Sequence, residues 1–406
     1  MRKTLERIAF ERVGGSSEEK KALDILANEI KQIGIEPFFE EFEVDTFKKG
    51  KGTVKLLVEP AIEFSANPIG LTGNADVTGK LTYIEPSKLE FIESAEDEII
   101  LLNRYVGYKE YGKIARAGAA AFLIVTPPGK TPGYPSIKEG AIEKFGKVPG
   151  AVIGYEAGRK LISNGESSVK LRTEQEEYRG TSHNLVAVVP GKVKDVEIIL
   201  CAHADSVADS PGAIDNGAGC IELLGLLSYF AKNKPRLSMK FCFFGSEELG
   251  LLGSHAFVEK HVEELHRIPL VVNLDLGGDI FGDNKAIVTG SRELAEYIDS
   301  RSKIRGHGLK VTRDIYSSDN MPFARHGIQA ISFGRTGLGS SMGHSRDDDL
   351  RNIDEKSLRS MATIALDIVD ELANARSLPF DKGIPEDIAE KVEEYFRERQ
   401  GIEPVK

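Results

Sequence analysis

The sequence contains no tryptophan, only three cysteines in 406 residues, and no run of 18 apolar residues. The cysteines, Cys201, Cys220 and Cys242, are an odd number and lie in apolar segments, so they favour buried free thiols over a disulfide framework. The lack of a long apolar run argues against a membrane-spanning helix. These absences predict a soluble protein of a reducing compartment.

The sequence also has no excess of positive charge, because 53 Lys and Arg residues are outnumbered by 63 Asp and Glu residues, which gives a net charge of -10. No basic stripe with interleaved aromatic residues is present, so we expect no nucleic acid and no membrane partner. A small neutral or cationic ligand fits the charge better. The charged first 15 residues contain no apolar stretch of the kind found in a signal peptide, and we expect a cytoplasmic location.

The chain is long enough for more than one core, with 41% hydrophobic residues in 406. From His183 onward, Val-, Ile-, Leu- and Phe-rich strands alternate with amphipathic helices. This alternation predicts an α/β fold with a mostly parallel central sheet and helices on both faces. The first helix is expected after Ser16, where Ser16 and Glu19 have the spacing of a capping box.

The sequence pattern changes between residues 60 and 171. Here short predicted strands are separated by loops rich in Pro and Gly, and no histidine occurs. We therefore expect a main domain in two segments, 1–59 and 172–380, with a small domain inserted at 60–171. The inserted domain is expected to lie over the entrance to the functional site of the main domain and to contribute no residue to the reaction. Residues 381–406 resemble a loosely attached, highly charged helix or tail.

Polar residues with the chemistry of metal ligands follow several of the predicted strands. His203 and Asp205 end one strand and point to the same side, and Asp275 ends a later one. Asp215 lies in a Gly-rich turn that opens a helix, where it could cap the helix or bind a metal. Glu247 and Glu248, in GSEEL, follow another strand, and adjacent acids cannot point in one direction. His344 lies in a loop of small residues.

Each of these residues alone has an ordinary explanation, such as a solvated acid or a satisfied histidine. Together, two histidines and three acids at successive strand ends are the ligand set that two divalent ions about 3.5 to 4 Å apart require. One carboxylate would be shared, and one of the two adjacent glutamates would be left over for acid–base work.

The motifs HADS, GAIDNGAG, GSEELGLLGS, NLDLGG and GHSRDDD occur in this order between His183 and about residue 354. In order and spacing they resemble the zinc aminopeptidase family that contains aminopeptidase Y, the bacterial leucyl aminopeptidases and glutamate carboxypeptidase. Residues 60–171 are similar to the protease-associated domain that many members carry. The resemblance implies a di-zinc metallopeptidase acting on peptides with a free N-terminus.

The resemblance also implies a role for each site residue. Asp215 would bridge two divalent metal ions, expected to be zinc, in a site where they share a water. His203 and Asp275 would complete one ion, and Glu248 and His344 the other. Asp205 would orient His203, as a ligating histidine requires. Glu247 would be the general base.

One position departs from the family pattern. Many members have a tyrosine before the last histidine as donor to the oxyanion, and here that position is Gly343. In other members a tyrosine before a Ser-Asp pair does this work, and Tyr316 stands three residues before Asp319. We therefore expect Tyr316 to be the donor, against the alternative that it only packs at a strand end.

Three classes of function stay open at this point. The first is a metal-dependent aminopeptidase, with a carboxypeptidase or dipeptidase of the same family as a variant of it. The second is a single-zinc acyltransferase of the glutaminyl cyclase type, against which the complete ligand set argues. The third is a non-catalytic receptor of the same fold that has lost ligands, although none is lost here. The sequence does not fix the side-chain preference, the metal or the oligomeric state.

Overall fold

The computed structural model describes residues 1–165 and 167–403. The helices in this part of the chain are α1 (Arg2–Ile8), α2 (Ser17–Ile33), α3 (Tyr108–Arg116), α4 (Glu139–Phe145), α5 (Tyr155–Ser163), α6 (Gly219–Lys232), α7 (Leu252–Lys260), α8 (Arg292–Arg305), α9 (Asn320–Arg325), α10 (Glu355–Asn374) and α11 (Glu386–Tyr395). In the described residues, no helix has the length and apolar character needed to cross a membrane.

The strands belong to two separate sheets. They are β1 (Phe38–Phe47), β2 (Lys51–Leu56), β3 (Ile62–Pro68), β4 (Ala75–Tyr83), β5 (Glu98–Leu102), β6 (Ala121–Val125), β7 (Gly150–Ile153), β8 (Ser168–Glu174), β9 (Glu177–Val189), β10 (Val193–His203), β11 (Leu237–Phe244), β12 (Leu270–Leu274), β13 (Gly282–Thr289), β14 (Leu309–Arg313) and β15 (Gln329–Gly337). β2 to β8 form a closed barrel, and the other eight strands form the central sheet.

The central sheet has the strand order β1-β9-β11-β10-β12-β15-β13-β14. Its middle strands, β11, β10, β12 and β15, pair in parallel, but β9 pairs antiparallel to both β1 and β11, and β13 pairs antiparallel to β15. β13 and β14 also pair in parallel, so four of the seven strand pairs in the described part of this sheet are parallel. The sheet is therefore mixed, and the expectation of a mostly parallel sheet holds for a narrow majority of its pairs. Strand composition does not record direction, and buried strands of either direction are apolar.

Side chains alternate along β10 between the two faces of the central sheet. Ile198, Leu200 and Ala202 join one buried cluster, to which α2, α6 and α10 contribute, whereas Ile199 and Cys201 join another, with α7 and α9. This alternation is that of a strand with both faces covered. Helices on both faces are thus observed as expected, and the three cysteines are free and buried.

The barrel (Lys51–Glu174) has its own apolar core, built from two buried clusters that share no residue with the core of the central sheet. It is longer at both ends than the range 60–171 expected from composition, because β2 pairs with both β3 and β8. Composition did not reveal β2, because this strand precedes the Pro- and Gly-rich loops by which the region was recognised in the sequence. Its classification as a protease-associated domain stays a prediction.

Residues 386–400 are packed against the rest of the protein. Ile388, Val392 and Phe396 are buried in one cluster with Leu251 and Met321 of the main body. The expectation of a loosely attached tail is therefore wrong for residues 386–400. The prediction relied on the high charge of this stretch and overlooked three apolar residues spaced four apart. That spacing is the pattern of one buried helical face.

The N-terminal segment is tied to the loops that follow β10 by one buried arginine. The Arg12 guanidinium is fully buried and donates to the carbonyl oxygens of Ala204 and Gly212, the latter at 2.8 Å. It also donates to Pro211. The segment that these contacts hold begins next to His203, the last residue of β10, and leads to Asp215, so Arg12 supports the backbone on which the candidate site is built.

Replacing Arg12 should therefore destabilise the fold. Arg12→Met keeps the apolar length but leaves several buried carbonyl groups without a donor, which costs about 1–3 kcal/mol for each such group. We expect the free energy of unfolding, measured with urea, to fall by about 3 kcal/mol or more. Arg7→Met, at an exposed ion pair with Glu29, is the control and should change it by less than about 1 kcal/mol. Equal effects of the two substitutions would contradict this role.

Candidate metal centre

The candidate site lies at the carboxyl ends of the parallel strands. His203 is the last residue of β10, Asp275 directly follows β12, and Glu247 and Glu248 lie in the turn after β11. Asp215 precedes α6, and His344 lies in the loop after β15. All the predicted ligands therefore reach the one edge of the sheet where parallel α/β sheets place their sites.

The ligating atoms form two groups that share Asp215. His203, Asp215 and Asp275 make one, and Asp215, Glu248 and His344 make the other, with the candidate donor atoms of each group within 4.8 Å of one another. In the first group, His203 Nε2 is 3.1 Å from Asp215 Oδ1 and 3.6 Å from Asp275 Oδ1. In the second, His344 Nε2 is 3.3 Å from both Asp215 Oδ2 and Glu248 Oε2. The two oxygens of Asp215 thus face different histidines.

Glu247 also comes close to this cluster, in a third group with His203 and Glu248. Glu247 and Glu248 are distinguished by their neighbours, since only Glu248 shares a group with Asp215 and His344. Both lie in a turn after Ser246, whose φ is +54°, and neither lies on a helix or strand. The adjacent acids can thus face different parts of the site.

Asp205 supports the site in two ways. Its Oδ1 lies 3.4 Å from His203 Nδ1, on the side of the ring away from Asp215. Its two oxygens also accept hydrogen bonds from the backbone N–H groups of Glu247 and Glu248, at 3.0 and 3.1 Å. Asp205 is fully buried. One carboxylate therefore lies beside the ring of His203 and fixes the backbone of both glutamates.

Glu19 is a supporting residue whose spacing in the sequence predicted only a capping box. Ser16 Oγ does accept the Glu19 N–H at 3.1 Å. The Glu19 carboxylate, however, accepts from the backbone N–H groups of Gly15 and Ser246, both at 2.9 Å, and from the Ser182 hydroxyl. Burial raises its pKa to about 8, and the carboxylate of Asp205 adds to this shift. Glu19 thus connects α2 to the turn that carries Glu247 and Glu248.

Asp348 is a second supporting residue that the sequence analysis did not single out. Its carboxylate accepts the backbone N–H groups of Ile214 and Asp215, at 2.8 and 3.1 Å. Burial, together with the nearby Asp215, raises its pKa to about 7. The signal in the sequence was weak, because Asp348 is the middle one of three consecutive aspartates.

The electrostatic field of the site favours positive charge. Burial alone would lower the pKa of His203, but the negative charge of Glu247 and of the nearby carboxylates of Asp205, Asp215 and Asp275 outweighs it and raises that pKa well above its usual value. Glu248 is the main cause of the raised pKa of His344. Burial opposes ionisation of Asp215, but hydrogen bonds from both histidines lower its pKa. A bound cation would satisfy the same excess of negative charge.

The donors present fit divalent metal ions. Glu248 Oε1 and Asp275 Oδ1 are buried side-chain oxygens without a hydrogen-bond partner among the described residues, which is costly unless a cation binds them. Imidazole nitrogens and carboxylate oxygens are the ligands expected for zinc. His203, Asp275, Glu248 and His344, with Asp215 between them, are the residues that would hold such ions.

A cavity of about 880 Å³ lies over these residues. Its lining includes Tyr316 of the main body and Tyr105 and Lys138 of the barrel. The Lys138 ammonium donates to the backbone carbonyl of Glu248 at 2.9 Å. The barrel thus reaches the site as expected, but it also contacts a residue of the candidate metal centre.

Two positions bear on the oxyanion donor, and both lie beside the site. Gly343 stands where many family members have the donor tyrosine, and Tyr316 is the expected substitute. An ideal Cβ built on Gly343 would be 3.8 Å from Asp215 Oδ2, so a side chain at this position would enter the site, and here none does. Tyr316 lines the cavity with His203, Asp215 and Asp275. Burial raises its pKa well above the usual value, and Asp275 and Asp215 add to this. Its hydroxyl therefore keeps its proton at neutral pH.

Residues 184–369 match the family profile described as Peptidase family M28. The resemblance to this peptidase family is therefore confirmed. The chain is 27% identical to aminopeptidase YwaD of Bacillus subtilis, over 95% of this chain and 86% of that protein. Residues 184–369 thus resemble a hydrolytic peptidase domain.

Solved structures show the same fold over nearly the whole chain. A peptidase M28 precursor from Shewanella amazonensis aligns with a TM-score of 0.80 at 19% identity, covering 95% of this chain and 94% of that one. A zinc aminopeptidase from Bacillus subtilis aligns with a TM-score of 0.75 at 23% identity, covering 95% and 97%. At this identity the likeness establishes the α/β architecture of the M28 peptidases.

Asp215 provides a direct test of the metal centre. Asp215→Asn keeps the shape of the side chain but removes the charge that both groups share, and Glu248 and Asp275 would then repel each other with less compensation. We expect zinc content, measured by mass spectrometry after dialysis, to fall at both positions. Asp283→Asn, at an exposed aspartate on β13, is the control. Two tightly bound ions in Asp215→Asn would contradict the shared role.

Proposed function

We propose that this protein is a metal-dependent aminopeptidase that holds two divalent ions, expected to be zinc, and hydrolyses the N-terminal bond of peptides. The observation that carries the proposal is the position of Asp215, whose two oxygens face two different histidines, each accompanied by a further carboxylate. One carboxylate placed between two such groups is the arrangement that a pair of ions requires. The names of the similar proteins support the same activity.

The ions, when bound, would make water a stronger nucleophile and polarise the scissile carbonyl. Glu247 is the general base in this proposal. It lies within 4.8 Å of His203 and Glu248, lines the cavity, and has no place in the group around Asp215 and His344. It takes a proton from the attacking water and passes it to the nitrogen that leaves when the C–N bond breaks. Such proton transfer contributes about 10²- to 10⁴-fold.

Burial raises the pKa of Glu247 well above its usual value, and the neighbouring Glu248 adds to this, while His203 opposes it. A raised pKa suits a group that must accept a proton and then release it. Tyr316 is the proposed oxyanion donor, since it lines the cavity near Asp275 and Asp215 and remains protonated. The excess of carboxylates in the cavity favours a substrate with a free, cationic α-amine.

A single-zinc acyltransferase of the glutaminyl cyclase type is the alternative from another class. Such an enzyme would need only one of the two groups, and here both are complete. A carboxypeptidase or dipeptidase of the same family would use the same centre and differ only in which end of the peptide the cavity recognises.

Metal content and substrate choice together test the proposal. The purified chain is expected to bind two zinc ions and to hydrolyse aminoacyl p-nitroanilides with a free amine at least about 100-fold faster than the N-acetylated forms. One ion per chain with cyclisation of N-terminal glutamine would favour the acyltransferase. Release of C-terminal residues from N-acetylated peptides would favour a carboxypeptidase.

Glu247→Gln tests the general base. Glutamine keeps the shape but cannot accept a proton, so kcat should fall by at least about 10²-fold, while the zinc content stays at the wild-type value. Glu293→Gln, at an exposed residue of α8, should leave kcat unchanged. Retention of more than about a tenth of wild-type kcat in Glu247→Gln would rule out this assignment.

Tyr316→Phe tests the oxyanion donor. Removal of one such donor lowers kcat by about 10²- to 10³-fold with little change in KM. Tyr155→Phe, at an exposed tyrosine of the barrel helix α5, is the matched control. A wild-type kcat in Tyr316→Phe would show that Tyr316 only packs beside the site. Another residue would then have to supply the oxyanion donor that is missing at Gly343.

A further inference from the structure

The C-terminal segment (Glu386–Gln400) forms one wall of the cavity over the candidate metal centre. Its lining residues are Lys391, Glu394, Tyr395, Glu398, Arg399 and Gln400. The segment lies outside the part of the chain that matches the family profile, residues 184–369. Its contribution to the cavity is therefore not explained by the ligand motifs.

The segment is attached to the same stretch of the main body that carries Tyr316. Asp387 receives two hydrogen bonds from the Arg313 guanidinium, at 2.6 and 2.7 Å. Further along, Lys391 pairs with Asp314 at 2.8 Å, and the Tyr395 hydroxyl is 2.7 Å from Ser317 Oγ. Polar contacts thus follow the segment from its start to the cavity.

The segment also contacts the barrel, so it joins two parts of the protein above the site. Glu398 forms an ion pair with Lys109 of α3 at 3.0 Å. An ideal Cβ on Gly401, just beyond the segment, would be only 2.0 Å from the Tyr108 ring, so the backbone approaches α3 closely there. On the buried side, Ile388, Val392 and Phe396 pack against the main body.

These contacts close the cavity on the side of the segment, and Tyr105 and Lys138 of the barrel line it as well. A volume of 880 Å³ is that of a space about 10 Å across. An extended peptide spans about 3.3–3.6 Å per residue, so the space holds about three residues. A decapeptide would have to pass between the segment and the barrel.

We propose that the C-terminal segment determines substrate length and limits the enzyme to short peptides. This inference rests on the proposed aminopeptidase function, because it concerns which peptides reach the same centre. The closed contact between Glu398 and α3 excludes the part of a long chain that lies beyond the cleaved bond. Peptides of two or three residues fit within the cavity and meet no such barrier, and a fourth residue extends only slightly beyond it.

A length series tests the inference in the wild-type chain. Peptides of two, three, four, six and ten residues, all beginning with leucine and otherwise made of glycine and alanine, differ only in the number of residues beyond the cleaved bond. We expect kcat/KM to fall by at least about tenfold between the tetrapeptide and the decapeptide. A decapeptide cleaved as well as the tripeptide would overturn the inference.

Two variants loosen the segment without changing a residue that lines the cavity. The double variant Lys109→Ala/Asp387→Ala removes its ion pairs to α3 and to Arg313, and Phe396→Ala removes its largest buried side chain. In either variant, faster hydrogen exchange of residues 386–400 should accompany a fall of at least about fivefold in the tetrapeptide-to-decapeptide ratio. Lys113→Ala is the matched control, because this lysine of α3 pairs with Glu90, another residue of the barrel domain, and not with the C-terminal segment.

The outcomes separate this inference from the proposed function. Leucine p-nitroanilide should be hydrolysed by the double variant within about twofold of wild type, since the centre itself is unchanged. A wild-type chain that cleaves no substrate with a free amine would refute the proposed function. A chain that cleaves them, but whose length ratio stays at the wild-type value in both variants, would refute only the role of the segment.

Discussion

The carboxylate of Asp215 lies between two imidazoles, and the surrounding structure holds it there. Asp348 fixes the backbone at Asp215 from one loop, while Arg12 holds the carbonyl groups of Ala204 and Gly212 from the N-terminal segment. His203 and His344 approach from β10 and from the loop after β15. Each of these groups comes from a different part of the chain, so the site exists only when folding brings these distant segments together.

Part of the candidate site could be predicted from the ends of parallel strands, whereas Asp215 and His344 were named through the motifs of a turn and a loop. Strands such as β10 and β12 end at residues that can be read directly from apolar runs, and their carboxyl ends meet by necessity at one edge of the sheet. The supporting contacts could not be predicted in this way. Glu19 has the spacing of a capping box, yet its carboxylate reaches Ser246, 227 residues away in sequence. Local spacing contains no information about such a distant partner.

Sheet direction and the C-terminal segment show two different reasons for incomplete prediction. The antiparallel pairing of β9 and β13 depends on which strands become neighbours, and composition does not record this. The packing of the C-terminal segment did leave a signal, because Ile388, Val392 and Phe396 are spaced four apart and share a helical face. The high charge around them hid the pattern. Charge on the exposed face of a helix is thus no evidence that the opposite face is free.

The adjacent acids Glu247 and Glu248 can have different roles because their backbone, and not their side chains, is held in place. Asp205 binds both of their N–H groups, and Glu19 binds the N–H of Ser246 just before them. With three successive N–H groups fixed by buried carboxylates, the turn is set independently of the groups that the two side chains bind. Glu248 can therefore lie beside Asp215 and His344, while Glu247 lies beside His203 and lines the cavity. Asp205 also lies 3.4 Å from His203 Nδ1, so one buried carboxylate contacts the histidine and the backbone of both glutamates.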